Sequence, residues 1–495
     1  MNVLLLCPKT PTTSALPALP LGALAIASYL KEKGYSVKIA DFTVSKRSLA
    51  YYLKDFKPDV VGVTLMSLLG IPHSQKLSAH FRQLGIPVIW GGNIPSCLPE
   101  EILREGAADY VVIREGESVF HELLQRIEKG ESAHDVGGIA YLDNDDKLQM
   151  PPREQMFEDL HSLPPLDFSF VNPRNYYQHY PSCSKGMYLY SSKGCGGVCA
   201  FCFNPHFNKS VHRPRNIEHV CHEIRILVNE YDVDGIFFCD ADFCGDKQEL
   251  FNKCAKLKAL NLPFVWGCQT RIGITKEELT AMYDAGCRWV MFGVETGSER
   301  LQAKINKNLD LATVHKPFEY CRELGITTIA GIILGLPTET QQDLRDSISA
   351  AFRMKSHITA CQFYCAFQHT QFFDELVESG LLKEPKTLKQ WLGFFALESG
   401  KITMGNVPNK ELRVVQKFFL FASAVLPQPH TSGRFFLFRR YIVDTLRFMK
   451  LKGFFNGIAF AAALGTEAVK MLWYITMYPK IRKKYGLYLR NFKQQ

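Results

Sequence analysis

Short apolar runs alternate with amphipathic stretches along two long parts of this chain, and no other feature restricts its fold so strongly. Between residues 1 and 130, "NVLLLCP", "SVKIADF", "DVVGVTLMS", "PVIWGG" and "DYVVIREGE" read as buried strands. Between them, "PLGALAIASYLKEKGY", "LAYYLKDFKP", "SQKLSAHFRQLG" and "PEEILREGA" read as helices. Apolar strands joined by helices imply a parallel sheet covered on both faces. Ligands of such sheets sit beyond the carboxyl ends of the strands. The loops there are "PKTPTTSALPALP", "TLMSLLGIPHS" and "GGNIPSC".

A second array begins with "MYLYSSKGC" and continues through "VDGIFFCDADF", "PFVWGCQTRIG", "RWVMFGVETGS", "GITTIAGIILGLP" and "HITACQFYCAF". Strands alternating with helices in this number predict a partial, TIM-like (β/α)6 barrel with function at the strand C-termini. The chain is therefore of the α/β class, with a Rossmann-like domain over 1–130 and a partial barrel over 186–370. The intervening 131–185 holds "YLDNDDKLQMPPREQ" and "LHSLPPLDFSF", acid and proline clusters without periodicity, and reads as a linker with small ordered pieces. Beyond 370 the strand pattern stops, and 371–495 reads as a helical, aromatic-rich region.

At 495 residues the chain is too long for one core. The charge of +9 gathers near the C-terminus, in "GRFFLFRRY" and "YPKIRKKYGLYLRNFKQQ". A solvated basic face accounts for it ahead of nucleic-acid binding. The 15 cysteines are odd in number and scattered, several in apolar strands (Cys239, Cys268), so they do not form a disulfide scaffold. "MNVLLLCPKT" lacks a basic leader and reads as a first strand rather than a signal peptide. "GIAFAAALGTEAVKMLWYITMY" carries Glu467 and Lys470 mid-span, which favours a buried or interfacial helix over a spanning one. A cytoplasmic, thiol-reducing setting is expected, with membrane-surface contact through the C-terminal helices as an addition.

"KGCGGVCAFCFNP" places Cys195, Cys199 and Cys202 in one loop directly after a predicted strand. A structural zinc site would want four ligands, usually as two paired knuckles, and no second pair follows. Three thiolates suit a 4Fe-4S cube with one iron left open for a ligand. The CxxxCxxC spacing at the mouth of a βα array resembles the radical SAM superfamily, in which that iron chelates S-adenosylmethionine. "IFFCDADF" resembles the family's second-strand motif, with Asp240 or Asp242 accepting from the methionine ammonium. "CQTRI" resembles its third-strand segment, with Arg271 on the methionine carboxylate, as a guanidinium fork allows. "FGVETGSERL" resembles the fourth, with Glu295 on the ribose and Gly293 and Gly297 admitting the nucleoside. "GIILGLP" resembles the adenine-side GxIxGxxxP motif at Gly335, although Pro337 stands out of register. Phe201 is expected to wall the site. The plainer alternatives are that Asp240 or Asp242 caps a helix and that Arg271 faces solvent.

The resemblance implies reductive cleavage of S-adenosylmethionine to methionine and a 5′-deoxyadenosyl radical. It requires an external one-electron donor such as a flavodoxin or ferredoxin. The first domain lacks GxGxxG after its first strand, which disfavours a dinucleotide. It resembles the cobalamin-binding domains that precede many radical SAM barrels. Ser67 and Leu69 stand in place of their SxL element, and Gly91 and Gly92 in place of their GG element, both lining the cleft for the nucleotide tail. No DxHxxG occurs, so the histidine ligand to cobalt is missing; His73 and His80 lie outside the first βα loop. A Rossmann-like domain that has lost its ligand is the alternative.

In layout the chain is similar to anaerobic magnesium-protoporphyrin monomethyl ester cyclases and to cobalamin-dependent radical SAM methyltransferases. The resemblance implies methylation or oxidative cyclisation of an unactivated carbon in a small, apolar substrate. Two contrasting readings are a non-catalytic corrinoid carrier or sensor with a structural cluster, and an RNA-modifying radical SAM enzyme. The latter would want an appended RNA-binding module, which the basic tail does not resemble. After the last strand, "FYCAFQHTQFFDEL" departs from the family pattern at Tyr364, Cys365 and His369, where Cys365 is a candidate hydrogen donor.

Overall fold

The computed structural model describes residues 1–10, 17–45, 47–153, 157–393, 404–425 and 454–488. The basic runs at 433–441 and 489–495 lie outside the described residues. The chain divides into two compact units, one built on Met1–Tyr176 and the other on Tyr177–Lys383 with most of the remaining C-terminal residues.

In the first unit β1 (Asn2–Cys7), β2 (Ser36–Asp41), β3 (Val60–Thr64), β4 (Val88–Gly91) and β5 (Tyr110–Val112) pair in parallel in the order β2-β1-β3-β4-β5. Val3, Leu4, Val60, Val61 and Trp90 are sealed between helices, as continuous apolar strands require. The strand order reverses between β1 and β3, and the crevice beyond that point is where such a sheet takes its ligand.

Two further strands, β6 (Ile139–Leu142) and β7 (Leu148–Gln149), extend this sheet in antiparallel fashion. They fall in the segment expected to be a linker. The acids that suggested a linker make the hairpin turn instead: Asp143 accepts from the N–H groups of Asp145 and Lys147, both at 2.9 Å. The helix Leu388–Gly393 also belongs to this unit rather than to a separate C-terminal region. Trp391 Nε1 donates to Glu101 at 2.9 Å.

The second unit holds β8 (Gln178–Tyr180), β9 (Cys183–Leu189), the short β10 (Ser192–Lys193) and β11 (Arg213–Pro214), then β12 (Gly235–Phe238), β13 (Val265–Arg271), β14 (Cys287–Glu295), β15 (Thr327–Leu334) and β16 (Ile358–Phe363). Its seven-stranded sheet runs β16-β15-β14-β13-β12-β9-β8. From β9 to β16 the neighbours are parallel and sequential, with helices in every crossover. β16 and β9 are not paired, so the barrel is open. The antiparallel edge β8 and the first part of β9 again fall inside the expected linker. Trp266, Trp289, Phe238, Phe292 and Phe318 fill the core. Among the described residues no helix is long and apolar enough to cross a membrane.

Candidate active site

The chain leaves β9 and enters a loop that closes on itself. β10 pairs antiparallel with β11, Ser192 opposite Pro214 and Lys193 opposite Arg213, so residues 194–212 form a lasso with a tied neck. Gly194 sits at φ 85°, and a Cβ there would overlap the Val211 carbonyl oxygen, so only glycine fits where the two arms touch. All three motif cysteines lie in this lasso.

Each sulfur meets an N–H donor, and Arg271 bonds Cys195 as well as Cys199. The Gly197 N–H reaches Cys195 Sγ at 3.3 Å, the Asn204 N–H reaches Cys202 Sγ at 3.4 Å, and Arg271 Nη1 reaches Cys199 Sγ at 3.6 Å. Such donors favour thiolate over thiol. Burial acts the other way. It pushes the Cys195 thiol up and the Cys202 thiol to about 11, and the nearby Cys199 and Cys195 sulfurs add to the latter. Among the described residues no group of three or more His, Cys, Asp or Glu is arranged to hold a single metal ion. A cube spreads its ligand sulfurs wider than one ion does. Three soft sulfur donors in one closed loop, each with its own N–H partner, fit such a cluster.

Phe201 is half-buried and follows Ala200, which anchors the loop twice. The Ala200 N–H donates to the Ile305 carbonyl at 3.0 Å, and Ala200 accepts from the Phe372 N–H at 3.1 Å.

The strand-end residues are brought to the same edge but differ in what they face. Asp242 is buried. Its Oδ1 accepts from Thr270 Oγ1 at 2.7 Å and from the Arg271 N–H at 3.2 Å, and its Oδ2 stands 3.9 Å from Cys195 Sγ. Asp240 is turned elsewhere. Its carboxylate accepts from the Ser191 N–H (2.8 Å), Ser191 Oγ (2.6 Å) and Ser192 Oγ (2.7 Å), all in the neck of the lasso. Arg271 does not face solvent. Burial works against its charge, yet the neighbouring Cys199 sulfur and Asp242 hold its pKa above the usual value.

Glu295 ends β14 at φ 68°, where the register with β15 also shifts, a costly conformation for a side chain of this size. Its carboxylate pairs with Lys307 at 2.6 Å, both side chains largely buried. The pair occupies the space over Gly293. Gly297 serves a different end from the one expected. A Cβ there would fall 2.6 Å from the Asp346 carbonyl, so this glycine seats the helix Gln341–Met354 rather than admitting a nucleoside. Gly335 turns the chain after β15 at φ 78° and donates its N–H to Glu339 at 2.6 Å. Burial pushes the Glu339 carboxyl up to about 8. Lys307 and Glu339 were missed by the sequence reading; an acid closing "GIILGLPTE" was the available signal for the second.

Tyr364 is buried, Cys365 half-buried, and His369 stacks on His206 of the lasso, ring centroids 4.2 Å apart.

In the first unit, the structure joins the two loops expected to line a cleft. The Leu65 N–H donates to the Gly91 carbonyl at 3.0 Å, and the Ile94 N–H returns to Leu65 at 3.3 Å. Gly92 stands at φ 104°, with its Cβ position 3.0 Å from the Leu65 carbonyl oxygen, so the loops approach this closely because the residue is glycine. Ser67 Oγ accepts from the Leu69 N–H at 3.3 Å and starts a single helical turn. His73 lies outside the first βα loop, as expected, yet its Nδ1 accepts from the Lys9 N–H in that loop at 2.8 Å.

Both units match known families. Residues 12–124 match the B12 binding domain and residues 189–351 the Radical SAM superfamily. The chain is a radical SAM enzyme whose barrel follows a B12-binding domain. Its type is the cobalamin-dependent one, with methyltransferases and cyclases among its relatives. An uncharacterized methyltransferase of Pyrococcus horikoshii is 27% identical over 77% of this chain and 84% of its own length. The anaerobic magnesium-protoporphyrin IX monomethyl ester cyclase of Rubrivivax gelatinosus is 25% identical over 72% of this chain and 66% of its own. The solved structure of the cobalamin-dependent S-adenosylmethionine radical enzyme OxsB with aqua-cobalamin shares the fold. Its TM-score is 0.67 at 16% identity, over 98% of this chain and 80% of that one. The cofactors are a 4Fe-4S cluster, S-adenosylmethionine and cobalamin. Enzymes of this kind act on small molecules and need a reductant.

Proposed function

We propose that this enzyme methylates or oxidatively cyclises an unactivated carbon of a small substrate, and that Cys195, Cys199 and Cys202 hold its cluster. When bound, the cluster and S-adenosylmethionine supply a carbon radical, and cobalamin supplies organometallic chemistry. The observation that carries this reading is the tied loop at the mouth of an open barrel, with all three sulfurs met by N–H donors.

The roles of the other residues follow from their surroundings. Arg271, half-buried beside Cys199, balances the negative charge of the sulfurs and directs its remaining donors toward a carboxylate. Asp242, beside Cys195, is the better placed of the two acids to accept from an ammonium. Glu295 is offered to hydroxyls by the turn at the end of β14 and held there by Lys307. Gly335 and the buried Glu339 shape the turn after β15 for a flat ring. In the first unit, Ser67, Leu69, Gly91 and Gly92 form a wall on which the tail of a corrinoid can lie.

The test is anaerobic reconstitution with iron and sulfide, then addition of reductant and S-adenosylmethionine. Formation of 5′-deoxyadenosine, abolished in Cys199→Ala, is the expected result. Corrinoid binding without cleavage would establish a carrier instead. S-adenosylhomocysteine as co-product marks methyl transfer, and its absence with turnover marks cyclisation.

A further inference from the structure

Behind the lasso lies a chain of buried charges that the cofactor roles leave unused. It begins at His212, the last residue of the loop, whose Nε2 meets Glu249 Oε2 at 2.8 Å. Glu249 Oε1 meets Lys253 Nζ at 2.8 Å, one helical turn further along Lys247–Ala259. Lys253 is 2% exposed, donates to the Phe243 carbonyl at 2.9 Å and reaches Ser191 Oγ at 3.4 Å. Ser191 and Ser192 then deliver their hydroxyls to Asp240, itself 1% exposed. A second buried pair, Arg215 and Glu223, braces the same neck, with Arg215 also bonded to the Tyr190 carbonyl at 2.9 Å.

Two positions of the neck are thus fastened to one set of charges. Ser191 and Ser192 precede the first cysteine, and His212 comes after the last. Burying a lysine and a carboxylate is costly unless each is paired and hydrogen-bonded. Lys253 and Asp240 meet that condition while sealed from solvent, and Glu249, which pairs with Lys253, keeps its side chain only 15% exposed. A surface-stabilising role would not require burying them. Burial beside a metal loop gives a charge its strongest leverage, because low-dielectric surroundings screen it least.

We propose that His212, Glu249, Lys253 and Asp240 are positioning residues for the cluster loop: they latch its neck to the barrel and set the electrostatic field in which the cluster is reduced. This rests on the assignment of the cluster to the three cysteines. Asp240 acts through Ser191 and Ser192 and does not touch S-adenosylmethionine. Each added electron makes the cluster more negative, so a buried cation eases reduction and a buried anion opposes it.

The experiment compares reconstituted holoenzyme with Lys253→Met and Glu249→Gln, near-isosteric changes of opposite charge effect. Potentiometric titration monitored by the electron paramagnetic resonance of the reduced cluster is expected to give a lowered midpoint for Lys253→Met and a raised one for Glu249→Gln. Iron and sulfide content should equal wild type in both. Midpoints unchanged, or shifted in the same direction, would overturn the electrostatic role. In the cluster-free proteins, amide hydrogen exchange at 191–193 and 213–215 should quicken in both variants; unchanged exchange would overturn the latch. If wild-type protein takes up no iron through its three cysteines, the cluster assignment falls, while the exchange measurement still decides the latch.

Discussion

The carboxyl edges of the two sheets are built from opposite materials. In the first unit the edge between β1, β3 and β4 is backbone and uncharged side chains: Leu65 to Gly70 stitched to Gly91 and Gly92, with the exposed Met66 among them. In the second the edge is crowded with Cys, Asp, Arg, Glu and Lys, buried or half-buried and paired. A bulky cofactor presented to the first is recognised by close approach, where a single Cβ is too much. One presented to the second is recognised by charge, where a single unpaired group is too much. Similar βα architecture therefore supports two kinds of recognition, and they should fail in different ways.

The largest contrast comes from Cys199→Ala, expected to reduce 5′-deoxyadenosine formation by roughly three orders of magnitude. Corrinoid absorbance on the same protein should stay at wild-type level, which separates the two edges directly. Next, Lys307→Met strands the Glu295 carboxylate in a buried site and should cost about 3–5 kcal/mol in denaturant unfolding. Glu295→Gln added to it should recover most of that loss. A charge-built edge predicts this rescue.

On the other edge, Gly92→Val forces a branched side chain into a backbone conformation (φ 104°, ψ −173°) that essentially only glycine adopts, a strain of about 1–3 kcal/mol. Corrinoid affinity should fall by roughly tenfold, with iron content unchanged. A loss of iron instead would break the comparison.

The smallest effect is a pH dependence confined to the charged edge. Glu339 has a folded pKa of about 8 against an unfolded value of 4.5, so the native state holds the extra proton. Its penalty is absent below about pH 4.5, grows as pH rises toward 8 and is then constant. Glu339→Gln removes the titration, and its stability relative to wild type should rise between pH 6 and pH 7 by on the order of 1 kcal/mol. Thermal melts at the two values measure it.

The alternation of apolar strands and helices was enough to read both parallel sheets, because strands buried on both faces must be apolar throughout. The cysteine loop was legible as a candidate site from its spacing, since its three thiols lie within one local segment; the β10–β11 tie that closes it into a lasso was not. The antiparallel additions β6, β7 and β8 were not legible. All three are short, β7 and β8 carry polar residues, and their pairing depends on an edge supplied from elsewhere in the chain. Nor could the sequence say where a carboxylate points. Asp240 and Asp242 are two residues apart, yet one bonds the neck and the other stands beside Cys195. Lys307 lies twelve positions from its partner Glu295, and no short motif links them.

The raised thiol pKa values in the lasso bear on how the enzyme matures. Burial raises the Cys195 and Cys202 thiols, and a protonated sulfur is a poor nucleophile toward disulfides and oxidants. On the assignment proposed above, cluster loading releases those protons, so reconstitution is expected to run faster in mildly alkaline buffer.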